Sequence, residues 1–432
     1  MLQALPNPFN RGQTAFLNCG LTLFTISCCL WVSAAIADDY ADARAELVAA
    51  YQAQEFAGMR SAANKALEAR PDYPGALFNR ALAEVLDGDA EAALATVVGL
   101  VTSGVDYGVA GLPEFASLQE LPGWQAYTNA VEELDKPIGS ATIAYTHAVA
   151  DFVPEGIAIG GDGELYLGGI RHGTIMRIDD SAAVLSDAAG HWSVFGMRLD
   201  GNGGLWFASA AVPEFADNSE AENGRTGLFR LDLKTREITH TALLPVSEDS
   251  QVLGDLVLVD EDTVLATESL TGALYRYSIA TETFTKVIAP GVLRSMQGLV
   301  RDETGRYLYV SDYVGGLFRI TLANNTIERV VSDASVSLFG IDGLYRFGSK
   351  LIAIQNGIRP HRVIEFALSE DGLAVTNSRV LARNLPEFDE PTLGTIVGNE
   401  FFFVANSHWN RFDRDGNLPD GLAGPVILKI KL

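Results

Sequence analysis

Gly316-Leu317-Phe318-Arg319-Ile320 is a small residue, two apolar residues, a charge and an apolar residue, and the chain repeats this unit. It recurs as Thr174-Ile175-Met176-Arg177-Ile178, Gly227-Leu228-Phe229-Arg230-Leu231 and Ala273-Leu274-Tyr275-Arg276-Tyr277. Looser copies are Arg362-Val363-Ile364-Glu365-Phe366 and Val426-Ile427-Leu428-Lys429-Ile430. The copies end at residues 178, 231, 277, 320, 366 and 430, a spacing of 43 to 64 residues. Short β-type runs recurring at that period, with Gly/Asp turns between them, predict an all-β six-bladed β-propeller; a sandwich would not repeat so regularly.

Working outward, each copy is preceded by a second run: Leu165-Tyr166-Leu167, Leu205-Trp206-Phe207, Val264-Leu265-Ala266, Leu308-Tyr309-Val310, Leu351-Ile352-Ala353 and Phe401-Phe402-Phe403. Before most of these stands a turn, such as Gly161-Asp162-Gly163 or Glu303-Thr304-Gly305, and before that an innermost strand. The sixth blade reaches Leu432 after three strands, so its fourth must come from elsewhere. Thr142-Ile143-Ala144-Tyr145 belongs to no blade of its own and is the expected donor, closing the ring without an exposed sheet edge.

Counting back along the repeat gives the residues expected at one mouth of the central channel: Glu155, Phe195, Asp255, Gln297, Asp342 and Thr392. Three carboxylates and an amide oxygen converging there would raise one another's pKa. A hard cation offsets that repulsion, and Ca²⁺, which accepts about six to eight oxygens in irregular geometry, suits the set. The metal ligands expected are thus Glu155, Asp255, Gln297 and Asp342. The competing reading has these acids capping turns and accepting backbone amides. No two histidines stand at metal-ligand spacing, and all three cysteines (Cys19, Cys28 and Cys29) lie in the first 29 residues, which argues against zinc and against thiol chemistry in the body of the chain.

Pro154-Glu155-Gly156, followed by the Gly161-Asp162-Gly163 turn and Leu165-Tyr166-Leu167, resembles the first blade of the senescence marker protein/gluconolactonase/luciferin-regenerating enzyme family. Paraoxonases and strictosidine-synthase-like propellers are relatives of that family. The resemblance covers roughly residues 140–432. It implies a divalent cation held by Glu from the first blade, Asn from the third and fourth, and Asp from the fifth. Glu155 and Asp342, in Ile341-Asp342-Gly343, match; Asp255 and Gln297 replace the two asparagines, keeping an oxygen donor but changing charge and length. The resemblance further implies lactone hydrolysis, with the cation polarising the carbonyl and Asp342 helping to activate water. Paraoxonase-like members use histidines above the metal. Here the loops after the second strands carry His172, His361 and His408, together with Glu268, Asp312, Tyr313, Asn356 and Asn406. Two of these loops are long, about 209–226 and 406–424, and are expected to form a lid over the mouth.

Ahead of the propeller, residues 38–137 are rich in Ala, Leu and Glu at helical spacing. Pro71-Asp72-Tyr73 is echoed 34 residues later by Val105-Asp106-Tyr107, and Ala62, Ala66, Ala81 and Ala93 are small enough for close helix pairing. The segment resembles tetratricopeptide repeats, the other reading being a plain helical bundle. The pattern admits a protein partner through these repeats. Residues 1–37 carry one charge, Arg11, then the uncharged run Leu21–Ala37 ending Ala35-Ile36-Ala37, the order of a cleavable export signal. The expected domains are therefore 1–37 signal, 38–137 helical and 138–432 propeller, in a periplasmic or secreted protein that is not membrane-bound after cleavage.

Charge narrows the partners. The 432 residues hold 31 Lys+Arg against 55 Asp+Glu, a formal net charge of −24. So acidic a chain is not built for nucleic acid or an anionic bilayer, which need clustered cations. A small-molecule substrate or ligand remains. The sequence thus supports an exported metal-dependent hydrolase of a lactone or related ester, or alternatively a non-catalytic ligand- or protein-binding propeller with a helical-repeat adaptor.

Overall fold

The computed structural model describes residues 39–160, 163–178, 182–185, 190–333, 335–413 and 416–432. The expected export signal and the Gly161-Asp162 half of the first-blade turn lie outside the described residues. The chain divides into two compact units, one holding the described residues to Val101 with Asp106–Ala130, the other Thr102–Val105 with Val131–Leu432.

The first unit is helical. Helices α1 (Asp39–Gln52), α2 (Phe56–Ala69), α3 (Pro74–Leu86) and α4 (Ala90–Thr102) follow one another through short turns. Pro74 opens α3 at a position where its missing N–H costs nothing, and Asp89 caps α4 by accepting the Ala92 amide at 3.1 Å. Ala62, Ala66, Ala81 and Ala93 are all buried, so adjacent helices approach through small side chains. Glu84, buried among them, accepts from Thr96 Oγ1 at 2.8 Å and faces Arg80 and Arg60 at 3.5 and 3.8 Å. After Tyr107 the chain makes two 3₁₀ segments, Val109–Gly111 and Pro113–Glu120, before α5 (Trp124–Asp135). Among the described residues no helix is long and apolar enough to cross a membrane.

The second unit is a six-bladed β-propeller of six four-stranded antiparallel sheets. Its innermost strands are Pro154–Ile159, Ser193–Leu199, Leu253–Leu258, Met296–Arg301, Ile341–Phe347 and Gly394–Val397. The second strands are buried along their length, as in Leu165–Gly169 and Gly204–Ala210, because blades stack on both of their faces. An outermost strand such as Glu237–Leu243 alternates with exposed polar residues. Thr142–Thr146 pairs antiparallel with Val426–Lys431 and so supplies the fourth strand of the sixth blade.

The repeated charge has a local cause. Arg177 donates to Glu164 at 2.7 Å and Arg230 to Asp200 at 2.7 Å, each acid standing at the turn into the second strand. The fifth blade reverses the signs, with Lys350 donating to Glu365 at 2.8 Å, while Lys429 donates to Glu400 at 2.9 Å in the sixth. Partly exposed pairs of this kind contribute little energy, but they favour one register of third strand on second.

Around the axis, five innermost strands break register at the same place, between Pro154 and Ile157, Val194 and Met197, Leu253 and Leu256, Met296 and Leu299, and Ile341 and Leu344. Two unpaired residues fill each break. In four blades they read X-Gly: Glu155-Gly156, Phe195-Gly196, Gln297-Gly298 and Asp342-Gly343. The glycine is sterically required, since a Cβ on Gly156 would sit 2.1 Å from the Phe195 carbonyl oxygen and one on Gly298 2.4 Å from the Leu344 nitrogen. Inner strands of neighbouring blades meet backbone to backbone there, and the residue before each glycine is left at the mouth.

Candidate active site at the propeller mouth

The third blade departs from that pattern. Its unpaired residues are Gly254-Asp255, so Gly254 takes the mouth position and Asp255 the place held elsewhere by glycine. Asp255 is 1% exposed and its Oδ2 accepts from Arg198 Nη2 at 3.0 Å, while Oδ1 accepts the Leu256 amide at 2.8 Å. Burial pushes its carboxyl up and the guanidinium opposes this. The count along the repeat puts Asp255 at the mouth; in the structure it takes the glycine place and pairs with Arg198, with its charge still close enough to raise Glu155 and Asp342. Gln297 keeps the mouth position, but its amide is spent on neighbours, Oε1 accepting from Ser269 Oγ at 3.3 Å and Nε2 donating to Ser295 Oγ at 3.0 Å.

Glu155 and Asp342 behave differently. Trp409 Nε1 donates to Glu155 Oε2 at 2.6 Å, and Asn356 Nδ2 donates to Asp342 Oδ2 at 2.6 Å. Asn356 is itself fixed by Tyr313, whose hydroxyl donates to its Oδ1 at 2.9 Å. A third carboxylate joins them, Glu390, two residues before the expected Thr392. The Asn410 amide donates to Glu390 Oε2 at 2.7 Å, and Glu390 has φ 63°, an uncommon conformation for a side chain of its size. Each of the three thus has one oxygen anchored by one donor, while the other oxygen receives no hydrogen bond from any described residue.

Electrostatics binds the three into one group. Burial, then Asp342, and also Glu390 and Asp255 push Glu155 well above the usual carboxylate range, against the Trp409 hydrogen bond. Asp342 is pushed up to about 7 by burial and by Asp255, with Asn356 opposing. Glu390 is likewise pushed up to about 7, by burial first and then by Asp342 and Asp389, against the Asn410 amide and the Arg359 charge. Buried acids that repel one another in this way require a proton or a cation nearby to be stable.

The three histidines do not converge on these acids as a set. His172 is exposed and lies 3.0 Å from Asp151 Oδ2 in a surface pair. His408 is buried, its Nε2 against the Ala423 carbonyl at 2.9 Å and its Nδ1 3.6 Å from Asp389, whose charge holds its pKa up. His361 is pushed down to about 4 by burial and the Arg359 charge, so it is neutral at pH 7. Among the polar loop residues, Glu268 accepts the Val252 and Leu270 amides, and Asp312 those of Arg294, Val314 and Gly315. Asn406 holds Gly424 and Val426. These side chains shape turns, whereas Tyr313 and Asn356 reach the mouth.

The two long loops meet each other. Arg171 Nη1 donates to the Glu214 carbonyl at 3.1 Å and to the Gly416 carbonyl at 2.7 Å. Gly416, at φ 75°, lies so close that a Cβ would stand 2.4 Å from the Pro213 carbonyl oxygen. The sixth-blade loop carries Trp409, whose ring centroid is 6.2 Å from Phe195 and 6.0 Å from Phe412 and whose Nε1 bonds the mouth acid Glu155.

A resident cation can be tested against these groups. Among the described residues, no group of three or more His, Cys, Asp or Glu side chains is arranged to chelate a metal ion. The donor chemistry nonetheless fits a hard cation, since the unbonded oxygens of Glu155, Asp342 and Glu390 are carboxylate oxygens and no sulfur or clustered imidazole competes.

No protein-family model matches the chain, and no curated protein matches it. Among solved structures, the chain is similar to the PQQ-bound form of aldose sugar dehydrogenase from Streptomyces coelicolor, at 14% identity over 68% of this chain and 99% of that one, with a TM-score of 0.48. It is similar also to regucalcin, a calcium-binding protein from Agrobacterium tumefaciens, at 14% identity over 68% and 93%, again with a TM-score of 0.48. A Bacteroides caccae protein of unknown function matches at 13% identity over 52% and 81%, with a TM-score of 0.41. Such values leave the site to be read from its own residues.

Proposed function

We propose that the propeller mouth binds a divalent cation, calcium first, and hydrolyses a lactone or related ester, in the manner of the gluconolactonase-type propellers that the first blade resembles. The observation that carries this reading is the pair Glu155 and Asp342, two buried mouth carboxylates each pinned by a single donor and each with one oxygen unbonded. A cation held beside them would polarise the ester carbonyl and stabilise the charge that develops on its oxygen.

The protein's own groups account for the rest. Asp342, whose Oδ2 is held by Asn356, would take a proton from water through its unbonded Oδ1. Asn356 Nδ2 holds the other oxygen, and Tyr313 holds Asn356, so the carboxylate plane is fixed before substrate arrives. Trp409 orients Glu155 and, with Phe195 and Phe412, keeps bulk water from the acids.

A lactone panel assayed with and without chelator tests the reading. Hydrolysis that disappears with chelator and returns with Ca²⁺ supports it; a chain that binds Ca²⁺ but turns over no lactone is a ligand-binding propeller instead. We further propose export on the strength of Leu21–Ala37, checked by the N-terminal sequence of the protein recovered outside the cytoplasm. The helical unit is proposed as a tetratricopeptide-like adaptor, which pull-down with that unit deleted would test.

A further inference from the structure

Two consecutive residues of one loop bond acids of two different blades. Trp409 Nε1 donates to Glu155, and the next residue, Asn410, donates its amide to Glu390. Acids of the first and sixth blades are thus held by adjacent residues, one through an indole N–H and the other through a backbone N–H. The third blade offers no free oxygen, because Asp255 stands at the glycine place with Oδ2 bonded to Arg198 and Oδ1 to the Leu256 amide. Nearby Asp389 is also spent, on Arg411 at 2.7 Å and on Asn410 Nδ2 at 3.2 Å.

A second observation is independent of the acids. Pairing of Gly394 with Phe403, like that of Leu344 with Ala353, puts Thr392 at the mouth position that Asp342 holds in the fifth blade. The Thr392 carbonyl oxygen lies 3.1 Å from where a Gly343 Cβ would stand, so the two blades touch there. Thr392 is 1% exposed, yet its hydroxyl has no hydrogen-bond partner among the described residues. A buried hydroxyl left unpaired is costly, and one at a ring of carboxylates marks a place where an ion or its water completes the bonding.

We propose that the sixth blade completes the cation site, with Glu390 as the third carboxylate and the Thr392 hydroxyl as a neutral oxygen donor, in place of Asp255 from the third blade. This rests on the reading that the mouth binds a divalent cation. Each of the three carboxylates keeps one oxygen unbonded to offer an ion. Three carboxylate oxygens, a hydroxyl and waters make a hard, irregular oxygen shell of the kind calcium accepts.

Calcium titration by calorimetry on metal-stripped full-length protein tests it, comparing wild type with Glu390→Gln, Thr392→Val and Asp255→Asn. Glu390→Gln is expected to weaken Ca²⁺ at least about tenfold and Thr392→Val about threefold, with folded Asp255→Asn weakening it less than Glu390→Gln. Circular dichroism and melting in chelator check folding. If Glu390→Gln fails to fold, Thr392→Val decides: unchanged affinity overturns the sixth-blade site. Wild type and Glu390→Gln binding Ca²⁺ equally overturns the Glu390 assignment alone, leaving the proposed cation. A wild type that binds no Ca²⁺ overturns both.

Discussion

The third and fifth blades bring the same two residues to the axis in opposite order, Gly254-Asp255 in one and Asp342-Gly343 in the other. In the fifth, the acid precedes the glycine, lies at the mouth, and meets neutral donors only, Asn356 and through it Tyr313. In the third, the acid follows the glycine, lies against Gly196 of the second blade, and meets a guanidinium. One residue of offset thus separates a carboxylate with an unbonded oxygen from one whose two oxygens are both bonded. Composition at the axis is a poor guide to chemistry unless the bulge register is known, because the bulge decides which of two neighbours faces the channel.

The comparison can be broken most severely at Asp342. Asp342→Asn is expected to lower chelator-sensitive lactone hydrolysis at least about a hundredfold while leaving the melting temperature unchanged or raised, since it removes a repelled buried charge. Full activity in this variant would remove Asp342 as the base. Asp255→Asn should do the reverse. It leaves Arg198, whose side chain is 24% exposed, without its partner, and is expected to cost about 3 kcal/mol in urea unfolding. Equal stability to wild type would show that the ion pair does not hold the ring.

Next comes pH. Asp342 and Glu390, both at about 7 when folded, bind more protons in the folded than in the unfolded chain between about pH 4 and 7, so their contribution falls as pH rises through that window. His361, at about 4, has the opposite sign below about pH 6.5, where the unfolded chain holds the extra proton. The acids are therefore unopposed by His361 from about pH 6.5 to 8. Melting in chelator should drop over that interval, and Asp342→Asn should flatten the drop. A profile that rises instead would contradict the carboxylate group. Smallest is Trp409→Phe, which keeps the ring packing and loses the bond to Glu155. Calcium affinity should weaken about threefold, with no change in the calcium-induced fluorescence of the other tryptophans.

The propeller is legible in the sequence because its signal is periodic. Six copies of a five-residue unit fix blade number, and the pairing of Arg177 with Glu164 and of Lys350 with Glu365 explains why a charge of either sign recurs there. Glu155, Gln297, Asp342 and Thr392 follow from the same count. Asp255 does not, because Gly-Asp and Asp-Gly look alike to a count anchored on the second strand. Glu390 escapes it for a related reason: it lies two residues outside the periodic position and reaches the group through a loop, so no spacing points to it. Its local signal is weaker, an adjacent acid pair Asp389-Glu390 set immediately before Pro391 and the mouth residue Thr392. His172, His361 and His408 stand out by loop membership alone, and loop membership says nothing about which way a side chain turns.

The pairing of Thr142–Thr146 with Val426–Lys431 has a consequence in time. The strand that completes the sixth blade is made before any of the six, and its partner is made last. During synthesis five blades can form in order, but the ring stays open until the final strand emerges and finds one that has waited since the start. The mouth acids sit on both sides of that seam, Glu155 on the first blade and Glu390 on the sixth. Their grouping is therefore an event of ring closure, and a propeller lacking its sixth-blade strand Val426–Lys431 would hold every blade-one and blade-five residue of the group without holding the group.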